Sequence, residues 1–190
     1  MLQLETSRLT LRDLQEEDVT LIRRMASEHA IKRYQSVLRL ESEKAIEEFI
    51  RTAISHNNQN PRHAFNLIIV DSREKQSMGW IGWGPSKNPS SAEYGVGYAL
   101  LPQFWGEGYM TEALHAGLAF MFETLGAQRV TDYCEATNVG SARVMEKQGM
   151  KPIARWSGVA NDGSSLRYVR YAIQRSQWLL LNPAEFKGLS

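Results

Sequence analysis

Apolar residues at Ile46, Phe49, Ile50, Ala53 and Ile54 recur at the i, i+3, i+4, i+7, i+8 spacing of one helical face, and Ser42 stands ahead of them as a natural N-cap. A shorter run, Leu21, Ile22, Met25 and Ala26, follows Glu16-Glu17-Asp18, acids placed where a helix N-terminus favours them. Leu9, Leu11 and Leu14 before it mark a first strand, and Lys32, Arg33, Tyr34 and Arg39 form a basic connector between the two helices. The period then changes. Residues 64–70 are rich in β-branched and aromatic side chains, 71–76 form a polar turn and 78–83 return as a second strand, so an antiparallel hairpin is expected. After a loop with Pro85, Pro89 and serines, a strand over 92–101 is stopped by Pro102, which has no N–H for the ladder. Leu114, Leu118, Met121 and Leu125 stripe a helix from about Thr111, closed by Gly126. A strand over 129–135, a short helix from Asn138 to Gln148 ended by Gly149, strands over 151–156 and 166–173 and a docked turn over 178–181 complete the pattern. The order β-α-α-β-β-β-α-β-α-β-β predicts an α/β (α+β) fold in one domain, residues 1–190. Its mixed, largely antiparallel central sheet has about seven strands, with helices on both faces.

One junction in this pattern carries chemistry. At Leu100-Leu101-Pro102-Gln103-Phe104-Trp105-Gly106-Glu107-Gly108-Tyr109-Met110-Thr111 a strand ends, two glycines bend the backbone and an apolar helix begins. The first amides of a helix lack internal partners and its dipole puts roughly half a positive charge there, so such a junction is an anion cradle. A Walker-type phosphate loop needs Gly-Lys-Ser/Thr at its end, whereas Gly108 is followed by Tyr109 and Met110. A dinucleotide fingerprint needs a third small residue and an acid about twenty residues on at a strand end. Thr111 stands at the first place, and Asp132, the acid nearest the second, lies inside a strand.

Composition narrows the setting. With 190 residues the chain buries roughly 70% of its unfolded surface as one domain. Its 22 Lys and Arg against 21 Asp and Glu, net charge +1, call for neither nucleic acid nor an anionic membrane as partner. The single cysteine, Cys134, excludes an internal disulfide and a cysteine-built metal cage and suits a reducing cytoplasm. The early charges Glu5, Arg8, Arg12 and Asp13 leave no room for the apolar core of a signal peptide, and no run approaches the ~20 residues of a membrane span. A cytoplasmic protein, monomer or homodimer, is expected.

The stretch Trp105-Gly106-Glu107-Gly108-Tyr109-Met110-Thr111-Glu112-Ala113-Leu114, followed by Asn138-Val139-Gly140-Ser141-Ala142-Arg143-Val144-Met145-Glu146-Lys147-Gln148-Gly149-Met150, resembles the GNAT superfamily of acetyltransferases. The most similar branch is that of the Rim-type ribosomal-protein N-terminal acetyltransferases, and the likeness runs from Glu5-Thr6-Ser7-Arg8-Leu9 to Tyr171. The resemblance implies a GNAT-like sheet, acetyl-CoA as cosubstrate with no metal, and amides from Gly106 to Thr111 holding the coenzyme's pyrophosphate. With Trp105 at the family's Gln/Arg position, Gly108 fits the characteristic glycine and Met110 replaces the usual Gly or Ala. A register starting at Gln103 satisfies the pattern with Gly106 and Gly108. It also implies that the pantetheine arm pairs with backbone near Leu100 and that Asn138 both caps its helix and contacts the coenzyme. Gly95 and Gly97, two apart on one strand face, either admit this ligand or make room for Trp80 or Trp83.

Acetyl transfer to an amine needs a neutral amine and a proton for the departing thiolate. An α-amine with pKa near 7.8 is about a quarter neutral at pH ~7.4, against about 0.1% for a lysine, so an N-terminal acceptor needs little help from a base. Many Rim-type sequences carry glutamate where Gly95 stands. Glu93, two residues earlier on the same face, is the substitute base, directly or through water, or else a solvated strand-start residue; His29 and His115 are further candidates. The tyrosine that the wider superfamily uses as acid falls at Met145. Ser141, three residues after Asn138 on the same helical face, is the nearest hydroxyl. Cys134 is either near the thiol or a small core residue. In the family the acceptor is walled by segments matching 32–39 and 156–165, and aspartate is common where Arg167 stands. The expected function is transfer from acetyl-CoA, in a ternary complex, to a primary amine, with a ribosomal-protein N-terminus as candidate acceptor. The alternatives are a small-molecule amine as acceptor or a noncatalytic acyl-CoA-binding sensor.

Overall fold

The computed structural model describes residues 1–86, 92–159 and 165–183. Eight strands are ordered β1-β2-β3-β4-β5-β6-β8-β7: β1 (Gln3–Glu5), β2 (Leu9–Asp13), β3 (Phe65–Asp71), β4 (Ser77–Pro85), β5 (Glu93–Leu100), β6 (Arg129–Glu135), β7 (Lys151–Val159) and β8 (Ser165–Gln174). The pairs β1–β2, β2–β3, β3–β4, β6–β8 and β7–β8 are antiparallel, and β5 pairs with β6 in parallel. The expected mixed, largely antiparallel sheet is therefore observed, with eight strands where about seven were expected. The addition is β1, a three-residue edge strand too short to show alternation. The helices are α1 (Val19–Ser27), α2 (His29–Tyr34), α3 (Glu43–Asn57), α4 (Tyr109–Ala119), α5 (Val139–Lys147) and α6 (Arg175–Leu181). α2 corrects the expectation of a plain connector, and α6 extends the expected C-terminal turn.

The chain forms two compact units, Met1–Gly84 with Val96–Ala116, and Pro85–Gly95 with Gly117–Ser190 as far as it is described. In the first, β2 alternates buried and half-buried residues, while β3 is buried on both faces. Ile22, Met25, Ile46, Ile50, Ile68, Trp80 and Leu101 build the core under α1 and α3. The Ser42 side chain accepts from the Ala45 amide at 3.2 Å, the cap that starts α3. Two buried acids have arginine partners: Asp18 takes a bidentate pair from Arg12 at 2.7 Å, and Asp13 takes Arg62 at 2.7 and 3.1 Å. Losing either arginine leaves a buried carboxylate without its counter-charge, although Leu2 N–H still donates to Asp13 and Gln15 N–H to Asp18, at a cost of about 3–5 kcal/mol.

In the second unit β6, β8 and β7 form an antiparallel ladder, and α6 packs through Trp178, whose ring centroid lies 5.7 Å from that of Phe122. Residues Phe120–Thr124 form a π-helical turn that shifts the helical register, so the expected stripe through Leu125 is not one continuous α-helical face.

Candidate functional site

The candidate residues divide between the two units. In the first, Leu100 ends β5, Pro102–Phe104 make one 3-10 turn, and Gly106 and Gly108 adopt φ of +86° and +79° before α4 begins at Tyr109. That left-handed backbone favours glycine, which explains both residues. The helix starts two residues ahead of the expected Thr111, so the amides of its first turn follow directly on the glycine turn. Met110 is buried in the core, which turns its side chain away and leaves its backbone as its only contribution at the turn. Trp105, half exposed, donates Nε1–H to the Leu100 carbonyl at 2.8 Å, occupying one of that oxygen's two lone pairs.

Around this turn lies a network not expected from the sequence. The Glu112 carboxylate accepts from Thr6 Oγ1 at 2.7 Å, Ser7 Oγ at 3.0 Å, the Arg8 amide at 2.9 Å and Arg8 Nε at 2.7 Å. Arg8 Nη1 also donates to the Glu107 carbonyl at 3.0 Å, and its guanidinium lies 4.4 Å from the Tyr109 ring centroid. Burial alone would raise the Glu112 pKa, but the hydrogen bonds from Thr6, Arg8 and Ser7 hold it below the usual glutamate value. The signal was present as Thr6-Ser7-Arg8 and a first-turn acid, but the residues stand 104 to 106 apart.

A Cβ on Gly97 would lie 3.6 Å from Gln35 Nε2 and 3.7 Å from the Trp80 ring, ordinary van der Waals contact, so the space beside Trp80 does not by itself require a glycine there. The glycines that truly cannot carry a Cβ are in β4, where Gly79 would meet the Ala99 carbonyl at 2.3 Å.

In the second unit Gly95 faces open space. Glu93 is partnered and not a freely solvated residue: its Oε1 accepts from Thr131 Oγ1 at 3.2 Å and its Oε2 lies 3.7 Å from Arg129 Nη1. Along the same face, by strand register, come Tyr133, Tyr168 and Trp156. These three rings lie 5.4–6.0 Å apart, with Tyr133 and Trp156 exposed.

The opposite face of β6 carries Asp132 and Cys134. Asn138 caps α5, its Oδ1 accepting from the Ser141 amide at 3.1 Å, and the Ser141 hydroxyl is hydrogen-bonded to the Cys134 thiol. Burial, then the charge of Asp132, pushes that thiol up to about 11, so Cys134 is a protonated core residue at neutral pH. Burial likewise pushes Asp132 up to about 8 against a single hydrogen bond from the Tyr133 amide. Met145, at the position of the family's tyrosine, is fully buried, while Tyr171 donates its hydroxyl to Glu146 at 3.2 Å. His29 is exposed at the start of α2, and Arg167 is exposed on β8. Residues 160–164 of the expected acceptor loop, like 87–91, lie outside the described residues. Among the described residues no group of His, Cys, Asp or Glu is arranged to hold a metal ion, and no helix is long and apolar enough to cross a membrane.

A mixed sheet with a glycine turn feeding a helix after β5 is the framework of an acyl-coenzyme A transferase. Residues 8–151 match the acetyltransferase (GNAT) domain, and the chain belongs to that family, whose cosubstrate is acetyl-CoA. FsC-acetyl coenzyme A-N(2)-transacetylase of Aspergillus fumigatus is 30% identical over 121 residues, 58% of this chain and 51% of the relative, so the chain spans about half of that relative's length. The uncharacterized N-acetyltransferase YoaA of Bacillus subtilis is 26% identical over 149 residues, 78% of this chain and 82% of the relative. In fold the chain is similar to spermidine N-acetyltransferase from Vibrio cholerae, solved with CoA and spermine (TM-score 0.79, 20% identity, 92% of this chain and 99% of that one). It is also similar to ribosomal-protein-S5-alanine acetyltransferase from Vibrio fischeri (TM-score 0.78, 16% identity, 94% and 99%). At these identities the likeness is one of fold.

Proposed function

We propose that this chain transfers the acetyl group of acetyl-CoA to a primary amine, and that its acceptor is the N-terminal α-amine of a protein, as in the Rim-type branch. The observation that carries the coenzyme part is the pair of left-handed glycines, Gly106 and Gly108, set before the first turn of α4 in a chain of the GNAT family. In this reading residues 1–190 work as one acetyltransferase domain in the cytoplasm. Gly106, Glu107, Gly108, Tyr109, Met110 and Thr111 offer backbone N–H groups to the pyrophosphate, Trp105 borders them, and Leu100 and Asn138 bind the remainder of the coenzyme.

The neutral amine attacks the thioester carbonyl, the C–S bond breaks, and coenzyme A leaves as a thiolate. The new C–N bond leaves a proton on nitrogen, which Glu93 accepts directly or through water and passes to solvent, while the thiolate takes a proton from solvent with the Ser141 hydroxyl, beside Cys134 on the other face of β6 from Glu93, as its hydrogen-bond partner. The products are an N-acetyl amide and the free thiol. An α-amine is supported by its low intrinsic pKa, which asks little of a Glu93 already engaged with Thr131. The exposed Tyr133 and Trp156, with the half-buried Tyr168 between them on the face that carries Glu93, offer contact area suited to a peptide more than to a small enclosed amine.

One observation favours a second reading, a noncatalytic acyl-CoA sensor: Met145 is buried where the family's acid would stand. Thiol release from acetyl-CoA, measured with peptide N-termini, polyamines and small amines, separates the two. The proposal expects acceleration by peptide N-termini above all. Binding without acceleration by any acceptor would leave the sensor, and acceleration by small amines alone would replace the peptide acceptor.

A further inference from the structure

A carboxylate in the first turn of a helix that receives a phosphate is an electrostatic contradiction. Glu112 is in that position, the fourth residue of α4, and with four donors converging on it the group is fully ionised near neutral pH. Left alone, it would occupy the dipole that the coenzyme's pyrophosphate uses and repel its charge. Arg8 resolves the conflict in two ways. Its Nε pairs with Glu112 Oε2 at 2.7 Å, cancelling the charge, and its Nη1 holds the Glu107 carbonyl at 3.0 Å, pinning the residue that lies between the two left-handed glycines. The remaining nitrogen, Nη2, lies 3.6 Å from where a Cβ on Gly108 would sit, so the guanidinium packs against the glycine turn itself. The Tyr109 ring under the guanidinium fixes its plane.

We infer that Arg8 is a positioning residue for the coenzyme, and that the strap Thr6-Ser7-Arg8 with Glu112 forms a charge-neutral clamp that sets the glycine turn for the pyrophosphate. This rests on reading Gly106–Thr111 as the coenzyme site. Glu112 gathers the strap mechanically, and Arg8 makes that acid tolerable beside an anion. A planar fork that serves a carboxylate and a carbonyl at once is a task for arginine and not for lysine, whose ammonium is a single point charge.

The consequence that a merely structural ion pair would not produce is rescue by a second loss. Arg8→Met leaves Glu112 ionised and uncancelled, so the Kd for acetyl-CoA, measured by calorimetry, and the KM should each rise about tenfold, with the loss in KM and not in kcat. Adding Glu112→Gln in the same chain removes the stranded charge and should recover more than half of that loss on a logarithmic scale. Arg8→Lys, which keeps the charge and gives up one arm of the fork, should fall between wild type and Arg8→Met and serves where Arg8→Met does not fold. Melting of each variant without ligand separates affinity from stability. Wild-type protein that fails to bind acetyl-CoA would overturn the coenzyme site and this clamp with it. Wild-type binding together with equal binding by Arg8→Met, or a double variant that binds more weakly than Arg8→Met alone, would overturn the clamp and leave the coenzyme site standing.

Discussion

Glu112 in the first unit and Asp132 in the second are both carboxylates withdrawn from water, and they end in opposite states. Glu112 meets four donors, and the protein keeps it ionised below the usual glutamate range. Asp132 meets one amide, and burial raises it to about 8, so at neutral pH it keeps its proton. What decides between ion and acid is the number of hydrogens aimed at the group, set against how much water it has lost. The first unit uses contacts 104 to 106 residues apart in sequence to hold a charge at the start of α4. The second leaves an acid on the face of β6 that carries Cys134, with one backbone amide to partner a charge.

The contrast breaks most visibly at Asp132. Its folded pKa of about 8 lies above the unfolded value of 3.8, so its contribution is fully present below about pH 4 and is lost as pH rises through 8. Asp132→Asn should therefore flatten the fall in stability across that window and leave the variant the more stable at pH 9, by about 2–5 kcal/mol in urea titrations. A variant as pH-dependent as wild type would show that Asp132 is ionised in the fold.

Glu112 should behave with the opposite sign. Its folded pKa lies below the unfolded one, so its contribution is present above about pH 4.5 and is lost as pH falls through the lower folded value. Glu112→Ala takes the shared acceptor from the Arg8 amide, Arg8 Nε and the Thr6 and Ser7 hydroxyls, leaving the guanidinium its bond to the Glu107 carbonyl. It should cost about 2–3 kcal/mol at pH 7, with the difference shrinking on acidification. A constant difference between pH 3 and 7 would assign the loss to packing instead. The smallest effect is expected at Cys134: with its thiol near 11, alkylation at pH 8 should proceed far more slowly than for free cysteine and accelerate only toward pH 11.

How much of this could be read from residues alone follows the range of the interactions. The glycine turn, the Asn138 cap and the β3–β4 hairpin are local, and each was legible because its signal lies within a few residues. α2 was not, since six residues with a single buried position, Ile31, leave no helical stripe. Nor was the π-helical turn at 120–124, whose residues continue the apolar pattern while the backbone changes register. The Arg8–Glu112 clamp joins positions that no window of sequence contains together, although each half was in plain view. Glu93 and Ser141 were singled out as candidates by type and spacing, but their partners, Thr131 with Arg129 and Cys134, emerged only from the folded structure.

The central claim is that backbone from Gly106 to Thr111 receives acetyl-CoA, and the most direct check is melting with and without the coenzyme for wild type and Gly108→Val. At 100 times Kd the ligand should add about 2.7 kcal/mol to the wild type, a rise of roughly 5–10 °C. A Cβ-branched residue at φ +79° should abolish most of that rise, whatever it does to the unliganded melting temperature. An equal rise in both proteins, or none in wild type, would contradict the claim.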